Sequence, residues 1–444
     1  MSHSFHIETE WYNIAANDPN IAPDEESHTT CWLKILANNV PLTRSIDRES
    51  KNVRDAILVS AYPLAMWFCV SWWRLLYESI PFVDRPLPID WRLAHDLPSA
   101  ASGYTWPFIR FISDEKNINI CSFRQDDGEV RIQPMIYLSS DKKVIEKNAV
   151  KKGLFNFLSN VVDNMNEYNE SSELCSLWKQ LKIEIEDEDF STYRIIEAIL
   201  GFDPDQAPDG LMKQLDRLSK RFDTSTLREI ASIINCFKVD DQLNSLRSIE
   251  KMSKEGIKGQ FQLPRFETEQ YDKRFAWDYG RELARALRNK IGLDVSKKVE
   301  TNQLCDFFGI SRVDFKNKAA SDNFSICSRT GDKMLINFRK ESSINYQTGR
   351  RFHLARLAGA CLAANDQVQW FPISASKTWM QKMQRAFAVE FLSPIESVRE
   401  RLGDNYSDEK ISKVAKHFSV SPMTILHSLV NHGDIPRNNL ACAN

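Results

Sequence analysis

The sequence lacks the paired cysteines of a disulfide framework. Its nine cysteines lie far apart, none belongs to a CxxC pair, and the count is odd, which argues against a complete set of disulfides. We interpret them as reduced and mostly buried thiols, as expected in a reducing compartment. The chain is therefore predicted to be cytoplasmic and to fold without covalent cross-links.

Long apolar runs are also missing. The most apolar stretch, residues 56–70, is shorter than the ~20 residues that cross a bilayer, and we expect a buried helix there. The N-terminal residues MSHSFHIETEW show neither a basic n-region nor an apolar h-region, so no signal peptide is predicted. With 42% hydrophobic and 27% charged residues in 444, the chain is typical of a soluble protein of two or three domains without a membrane partner.

Neither sign of charge dominates the whole chain, but each dominates one half. Residues 1–260 carry 30 Lys and Arg against 40 Asp and Glu, whereas residues 261–444 carry 28 against 20. A basic half could steer the protein to nucleic acid or to an acidic partner, or the two halves could attract each other. No Lys-Arg block decides between these alternatives.

The order of patterns predicts an α+β fold in three parts. Residues 1–143 are predicted to form an N-terminal α+β domain. We expect this N-terminal region to be mainly helical, with a small β-hairpin or sheet. The turn Asp126-Asp127-Gly128 joins two runs of alternating apolar and polar residues, which predicts the hairpin. Residues 144–264 form a helical middle region, with apolar residues at helical spacing. Residues 265–444 form a third domain, in which helices are predicted at 275–293 and 351–364 and strands at 324–329 and 333–339.

Aromatic residues are dense between positions 67 and 106. Such a set could stack a ligand in a pocket, but helical spacing favours a hydrophobic core. The residues are Trp67, Phe68, Trp72, Trp73, Tyr77, Phe82, Trp91 and Trp106.

The segment MLINFRKESSINYQTGRRFHLARLAGACL combines a strand, a polar loop and a helix that opens with Arg-Arg-Phe. It resembles the active-site region of the ImmA/IrrE metallopeptidases. The segments ELARALRNKIGL, LCDFFGI and RAFAVEFLSP are similar to the flanking parts of that family, and the resemblance covers about 275–436. It implies a zincin-like domain with a small mixed sheet before the 351–364 helix.

The catalytic motif of that family is degenerate here. A His-Glu-x-x-His helix places two zinc ligands on one face and a general base between them. Alignment on Arg351-Phe352 and Gly359 implies that Arg356, Leu357 and Ala360 replace the three motif residues and that Met383 replaces a further glutamate. No two histidines of the chain stand four residues apart. We therefore expect no metal, no cofactor and no peptidase activity.

The resemblance implies a regulatory or phage-defence setting in bacteria, in which the former cleft binds another protein. Arg350, Arg351 and Arg356, with His353 beside them, are predicted to cluster at the start of the 351–364 helix, where the helix dipole is already positive. A partner could neutralise these cations, or intramolecular salt bridges to the acidic half could do so. Both alternatives remain open at this point.

The segment 407–433 is predicted to form two helix-turn-helix-like helices. Ser407 and Ser421 are expected N-caps, and Pro422 suits the first helical position. One interpretation is a DNA-binding regulator that places Ser421, Met423, Thr424 and His427 in a groove. The other is that these helices pack on the domain core, because the second helix has no Arg or Lys. A hydrolase site in the N-terminal region is a third hypothesis, for which the sequence offers no Ser/His/Asp, P-loop or paired-carboxylate signature.

Overall fold

The computed structural model describes residues 4–12, 24–81, 86–124, 135–235, 239–252, 254–264, 266–317, 324–339, 346–365 and 368–436. The α+β class is confirmed, with helices beside small antiparallel sheets. Internal contacts group the chain into two compact units, Met1–Met212 and Lys213–Asn444. The three-part division at 143/144 and 264/265 stays a prediction.

Three small antiparallel sheets belong to the first unit. Its strands are β1 (Phe5–Trp11), β2 (Thr30–Ala37), β3 (Val40–Pro41), β4 (Ser45–Asp47), β5 (Val53–Arg54), β6 (Ile57–Ser60), β7 (Ile109–Ser113), β8 (Asn117–Ser122), β9 (Met135–Tyr137) and β10 (Lys142–Glu146). Strand β2 pairs with β1, β3 and β6; β4 pairs with β5 and β9; β8 pairs with β7 and β10. The described part of 1–143 therefore holds more strand than the mainly helical region that was predicted.

The predicted hairpin around Asp126-Asp127-Gly128 is not the observed pairing. The turn itself lies outside the described residues, but the runs on either side of it enter different sheets. Strand β9 pairs with β4, with Ile136 opposite Ile46, whereas β8 lies between β7 and β10. The Asp-Gly sequence indicates only that the local backbone favours a turn. Which strands pair also depends on residues distant in the sequence, so the turn alone did not predict the partners of β8 and β9.

Helices cover these sheets and become the main element after β10. Those that begin in the first unit are α1 (Glu25–His28), α2 (Tyr62–Tyr77), α3 (Ile89–His95), α4 (Lys147–Tyr168), α5 (Glu173–Glu186), α6 (Glu188–Ile199) and α7 (Asp209–Ser219). Helix α2 is buried on nearly every side. Its Trp72 is 0% exposed, and Trp91 of α3 is 2% exposed.

The aromatic cluster is therefore core, as its helical spacing predicted. All its members within the described residues are buried; Phe82 lies outside them. Edge-to-face contacts link Phe68 to Phe111 and to Phe157, with ring centroids 6.2 and 5.9 Å apart.

Among the described residues, no helix is long and apolar enough to cross a bilayer.

The second unit is built from helices around one sheet. Its helices are α8 (Thr224–Ile234), α9 (Val239–Met252), α10 (Ala276–Lys290), α11 (Thr301–Asp306), α12 (Arg312–Asn317), α13 (Tyr346–Ala363), α14 (Trp379–Leu392), α15 (Ile395–Leu402), α16 (Asp408–Phe418) and α17 (Pro422–Asn431). The predictions of α10 and of the 407–433 pair are confirmed. Helix α13 begins five residues earlier than predicted, at Tyr346.

The sheet of the second unit is antiparallel, so the prediction of a mixed sheet is wrong for the described strands. These are β11 (Ile257–Gln260), β12 (Ser325–Thr330), β13 (Lys333–Asn337) and β14 (Trp370–Ile373), in the order β11-β13-β12-β14. Helix α13 does connect two strands of the same direction, β13 and β14. Strand β12 lies between them and pairs antiparallel with both, so the crossover creates no parallel neighbours.

Two glycines allow helices α10, α13 and α14 to pack closely. A Cβ atom on Gly359 of α13 would lie 2.6 Å from Cγ of Phe387 in α14, and one on Gly280 of α10 would lie 2.5 Å from the carbonyl oxygen of Met383. Neither distance leaves room for a side chain. The apolar residues of all three helices join one hydrophobic core.

Candidate functional site

Helix α13 carries the residues that the sequence singled out, but they do not lie at its end. Because the helix begins at Tyr346, Arg350 and Arg351 stand in its second turn and Arg356 near its middle. The expected clash between these cations and the N-terminal helix dipole therefore does not arise, since the dipole acts within the first turn. All three side chains are buried, with 1–5% exposure.

Arg356 is held by polar groups from the chain that follows it. Its Nη2 donates to the carbonyl oxygen of Ser374 over 2.8 Å, to Gln381 Oε1 over 2.5 Å and to Gln384 Oε1 over 3.3 Å. Both glutamines lie on α14. A guanidinium has five N–H donors and keeps its charge, so the three acceptor oxygens around Nη2 stabilise the cation at this position.

Gln381 links this cation to a buried carboxylate. Its Nε2 donates to Glu229 Oε2 and to the carbonyl oxygen of Pro372, each over 2.9 Å. Glu229 lies on α8 and is 6% exposed. Its burial raises the pKa of its carboxyl, while hydrogen bonds from Thr378 and Gln381 act in the opposite direction. We call Glu229, Arg356, Gln381 and Gln384 the glutamine cluster.

A second arginine, Arg385, is half-buried and borders the glutamine cluster. Arg385 donates to the carbonyl oxygens of Ser374 and Ser376, over 3.4 and 3.0 Å, and burial lowers its pKa to about 10. Burial, followed by the charge of Arg385, also lowers the pKa of Arg356. Two arginines beside one carboxylate leave an excess positive charge, which is costly to bury. The carbonyl and amide oxygens around the two guanidiniums offset part of that cost.

His353 is neutral and buried one turn before Arg356. Its Nδ1 lies 3.1 Å from Ser325 Oγ on β12, and burial, reinforced by Arg356, lowers the pKa of the ring well below 6.5. Ser325 Oγ also accepts a hydrogen bond from the backbone N–H of Arg339 over 2.8 Å. A serine and a neutral histidine at this distance can exchange a proton, but both are buried, which keeps a substrate away from the pair.

The other two arginines brace α13 against neighbouring segments. Arg350 donates to the carbonyl oxygen of Phe315, and its guanidinium lies 5.0 Å from the ring centroid of Phe338. Arg351 donates to the carbonyl oxygen of Val299 and to Thr301 Oγ1, each over 2.7 Å, and to a carbonyl oxygen of the turn between α16 and α17. Burial lowers the pKa of Arg351 to about 10. A partner could reach these groups only if α13 moved.

The other positions that the resemblance assigns to the motif are apolar core. Leu357, Ala360 and Met383 are 0–1% exposed and belong to the hydrophobic core of the second unit. None of them offers a metal ligand or a base. Within the described ranges, no group of three His, Cys, Asp or Glu side chains is placed to hold a metal ion.

The 407–433 helices are oriented by the same core. Phe418 of α16 and Ile425 and Leu429 of α17 are buried in it. Ser421 accepts from the backbone N–H of Thr424 over 3.2 Å, and their hydroxyls lie 2.9 Å apart. These two polar side chains therefore cap α17.

Of the four residues predicted to contact DNA, Ser421 and Thr424 serve this cap and, like Met423, are partly buried. His427 is exposed. The nucleic-acid role of the set stays a prediction.

A second buried polar cluster lies in the first unit and was not found from the sequence. His95 is 0% exposed; its Nδ1 lies 3.0 Å from the carbonyl oxygen of Phe111 and its Nε2 3.1 Å from Glu78 Oε2. Arg74 Nε donates to the same oxygen of Glu78 over 2.8 Å. An acid, a base and a cation meet there, but the histidine and the glutamate are sealed inside the unit.

Glu229, Gln381 and Ser374 were also missed by sequence reasoning. They are far apart in the chain, and none belongs to a motif. Comparison with models of protein families, with curated proteins and with solved structures found no match to this chain. The interpretation of the site therefore depends on the motif and on the geometry described above.

Proposed function

We propose that the protein is a non-catalytic relative of the ImmA/IrrE metallopeptidases that acts through binding another protein. The observation that carries the proposal is the position of Arg356. It stands where the resemblance puts the first zinc-binding histidine, and it is hydrogen-bonded to Ser374, Gln381 and Gln384. A buried cation whose Nη2 has three oxygen acceptors disfavours a metal at the same place.

The proposed setting follows from the same resemblance. Intact relatives act on repressor-type partners, so we place this protein in the cytoplasm of a bacterium, in a phage-defence, mobile-element or toxin-antitoxin circuit. In such a circuit the C-terminal domain keeps the shape of a peptidase and contributes recognition without cleavage. It uses neither cofactor nor metal. The predicted partner surface of Arg350, Arg351, His353 and Arg356 would open only with a rearranged α13.

The test is recovery of a partner that stays intact. The tagged full-length chain, expressed in its native cells, should retain one protein in amounts comparable to its own. Purified partner mixed with purified chain and added zinc should keep its full length by mass spectrometry. Cleavage that a chelator abolishes would show a working metallopeptidase, and failure to retain any partner would remove the binding function.

DNA binding by the 407–433 segment is the second proposal. It is supported by the observed pair of helices, separated by the short turn at Ser419 and Ser421, and by the exposed His427. The absence of Arg and Lys from α17 predicts weak, salt-sensitive binding without sequence preference. Protection of one defined operator in physiological salt would make this the main function.

A further inference from the structure

A groove opens on the second unit between α10, α14 and the end of α17. Its free volume is about 320 Å³, which is at the small end of ligand pockets and close to the size of one or two side chains. Its apolar wall includes Phe275, Trp277 and Val389. Its polar rim includes Asp278, Arg281 and Glu390.

Trp277 gives the groove its main contact surface. The side chain is 39% exposed, and within the described part of the chain no aromatic ring or cation contacts it. Most other tryptophans of the protein are buried. A tryptophan held at the surface beside a cavity is typical of a binding hot spot, because its large ring gains much from burial against a partner.

The cations at the rim are already occupied by the protein itself. Arg281 pairs with Asp278, and its Nη1 donates to His432 Nε2 over 2.9 Å. Arginine can only donate, so Nε2 of this histidine accepts, and its Nδ1–H donates to the carbonyl oxygen of Ser428 over 2.8 Å. Both ring nitrogens of His432 are therefore engaged by groups of the protein itself.

Carboxylates outnumber guanidiniums around the groove and its extension toward α15. Arg285 is held by Glu390 over 2.8 Å and by Glu396 over 3.7 Å. Arg399, at the far end, is paired with Asp434 by two contacts of 2.9 and 3.0 Å. Glu282 also lines this extension, and among the described residues it has no ion-pair partner. The surface therefore attracts a cation and repels phosphate.

We propose that this groove docks a segment of a partner protein that presents one bulky apolar side chain next to a lysine or arginine. The apolar side chain packs between Phe275, Trp277 and Val389. The cation reaches Asp278 and Glu282, which lie one turn apart on α10, and forms ion pairs with their carboxylates. The proposal rests on the proposed protein-binding function and names the surface and partner chemistry for it.

The test uses the full-length protein and random peptides displayed on phage. Enriched peptides should carry Lys or Arg beside Leu, Phe, Tyr or Trp, and one of them, synthesised, should bind in calorimetry. Replacing its basic residue by Glu, or substituting Trp277→Ala in the protein, should each weaken binding about tenfold or more, which is about 1.4 kcal/mol. Val313→Ala, at a residue 66% exposed on α12, is the matched control and should change nothing.

Three results would overturn the groove proposal: no enrichment of peptides, enrichment of acidic peptides or of nucleic acid over peptides, or binding that Trp277→Ala leaves unchanged. If Trp277→Ala fails to fold, Trp277→Phe and Glu282→Lys replace it, and Glu282→Lys should weaken the basic peptide most. A native partner whose retention is insensitive to these variants would end this proposal and keep the proposed function. Peptide binding at the groove without any native partner would support the groove proposal and count against the proposed function.

Discussion

Arg356 Nη2 lies 2.5 Å from Gln381 Oε1, so a cation in the middle of α13 is held by an amide on α14. The same amide donates through its other end to Glu229. Gln381 therefore acts as a neutral bridge between two buried charges.

Arg356→Ala should lower the free energy of unfolding by about 3–5 kcal/mol. The change leaves the buried carboxylate of Glu229 with one cation fewer and opens a cavity at Gln381 and Gln384. Denaturant unfolding, with hydrogen exchange of the α13 amides, measures the loss. The matched control is Arg399→Ala, which removes an arginine 45% exposed in its side chain and should cost no more than about 1 kcal/mol. Equal effects of the two variants would contradict a structural role for Arg356.

Glu229→Gln should change how stability depends on pH. Burial raises the pKa of Glu229 above its ordinary value of 4.5 in the folded protein. The folded state then binds the proton more tightly than the unfolded state, so this group's contribution to stability is full below pH 4.5 and is lost as pH rises through the folded pKa. Glu229→Gln has no carboxyl group to ionise at this position. Its free energy of unfolding should therefore rise relative to that of the wild type as pH rises.

The pH series needs a control because His353 acts with the opposite sign. Its pKa is lowered below 6.5 by burial, so its contribution is present above pH 6.5 and falls as the solution becomes more acidic. Unfolding of the wild type, Glu229→Gln and His353→Gln between pH 4.5 and 8 separates the two groups. A difference between Glu229→Gln and the wild type that is constant with pH would show that Glu229 does not titrate in this range.

Gly359→Ala should destabilise the second unit by about 1–3 kcal/mol through overpacking. The added Cβ would lie 2.6 Å from Phe387 Cγ, and α13 and α14 would have to separate. Gly210→Ala is the control. Gly210 lies in helix α7, and a Cβ atom added there would have no other atom within 4 Å. This substitution should raise the free energy of unfolding by up to about 1 kcal/mol. The two unfolding midpoints should move in opposite directions.

The purified protein should contain far less than one zinc per chain by elemental analysis, even after incubation with excess zinc. Leu357, Ala360 and Met383 offer no ligand, and the charge of Arg356 repels the ion. The triple variant Arg356→His, Leu357→Glu and Ala360→His is the positive control for zinc uptake. Stoichiometric zinc in the unaltered chain, with chelator-sensitive peptidase activity, would contradict the proposed loss of function.

Local signals predicted the helices of the second unit well. Leu283 and Leu287 mark one face of α10, and Ser407, Ser421 and Pro422 mark the starts of α16 and α17; each acts through neighbours within two turns. The Arg-Arg-Phe pattern puts the start of α13 at Arg351, which is too late. The helix instead takes in Tyr346–Arg350, which tertiary contacts such as that of Arg350 with Phe315 support.

The polar cluster could not be predicted because its partners are distant in sequence. Glu229 and Gln381 are separated by 152 residues, and each looks like an ordinary surface residue of an amphipathic helix. The expectation that a partner or the acidic half would neutralise the arginines overlooked main-chain acceptors. Val299 and Ser374 supply such carbonyl oxygens, and a carbonyl leaves no signature in the sequence.

Because β12 lies between β13 and β14, its two neighbouring strands pair with it at different times during synthesis. Strand β13 emerges directly after β12 and can pair with it at once, whereas β14 follows only after all of α13. Until Ile373 has left the ribosome, one edge of β12 has no strand beside it, and an open edge of this kind invites pairing with other chains. The second unit therefore depends on β14 for protection during synthesis, and chains interrupted within α13 are the ones most exposed to aggregation.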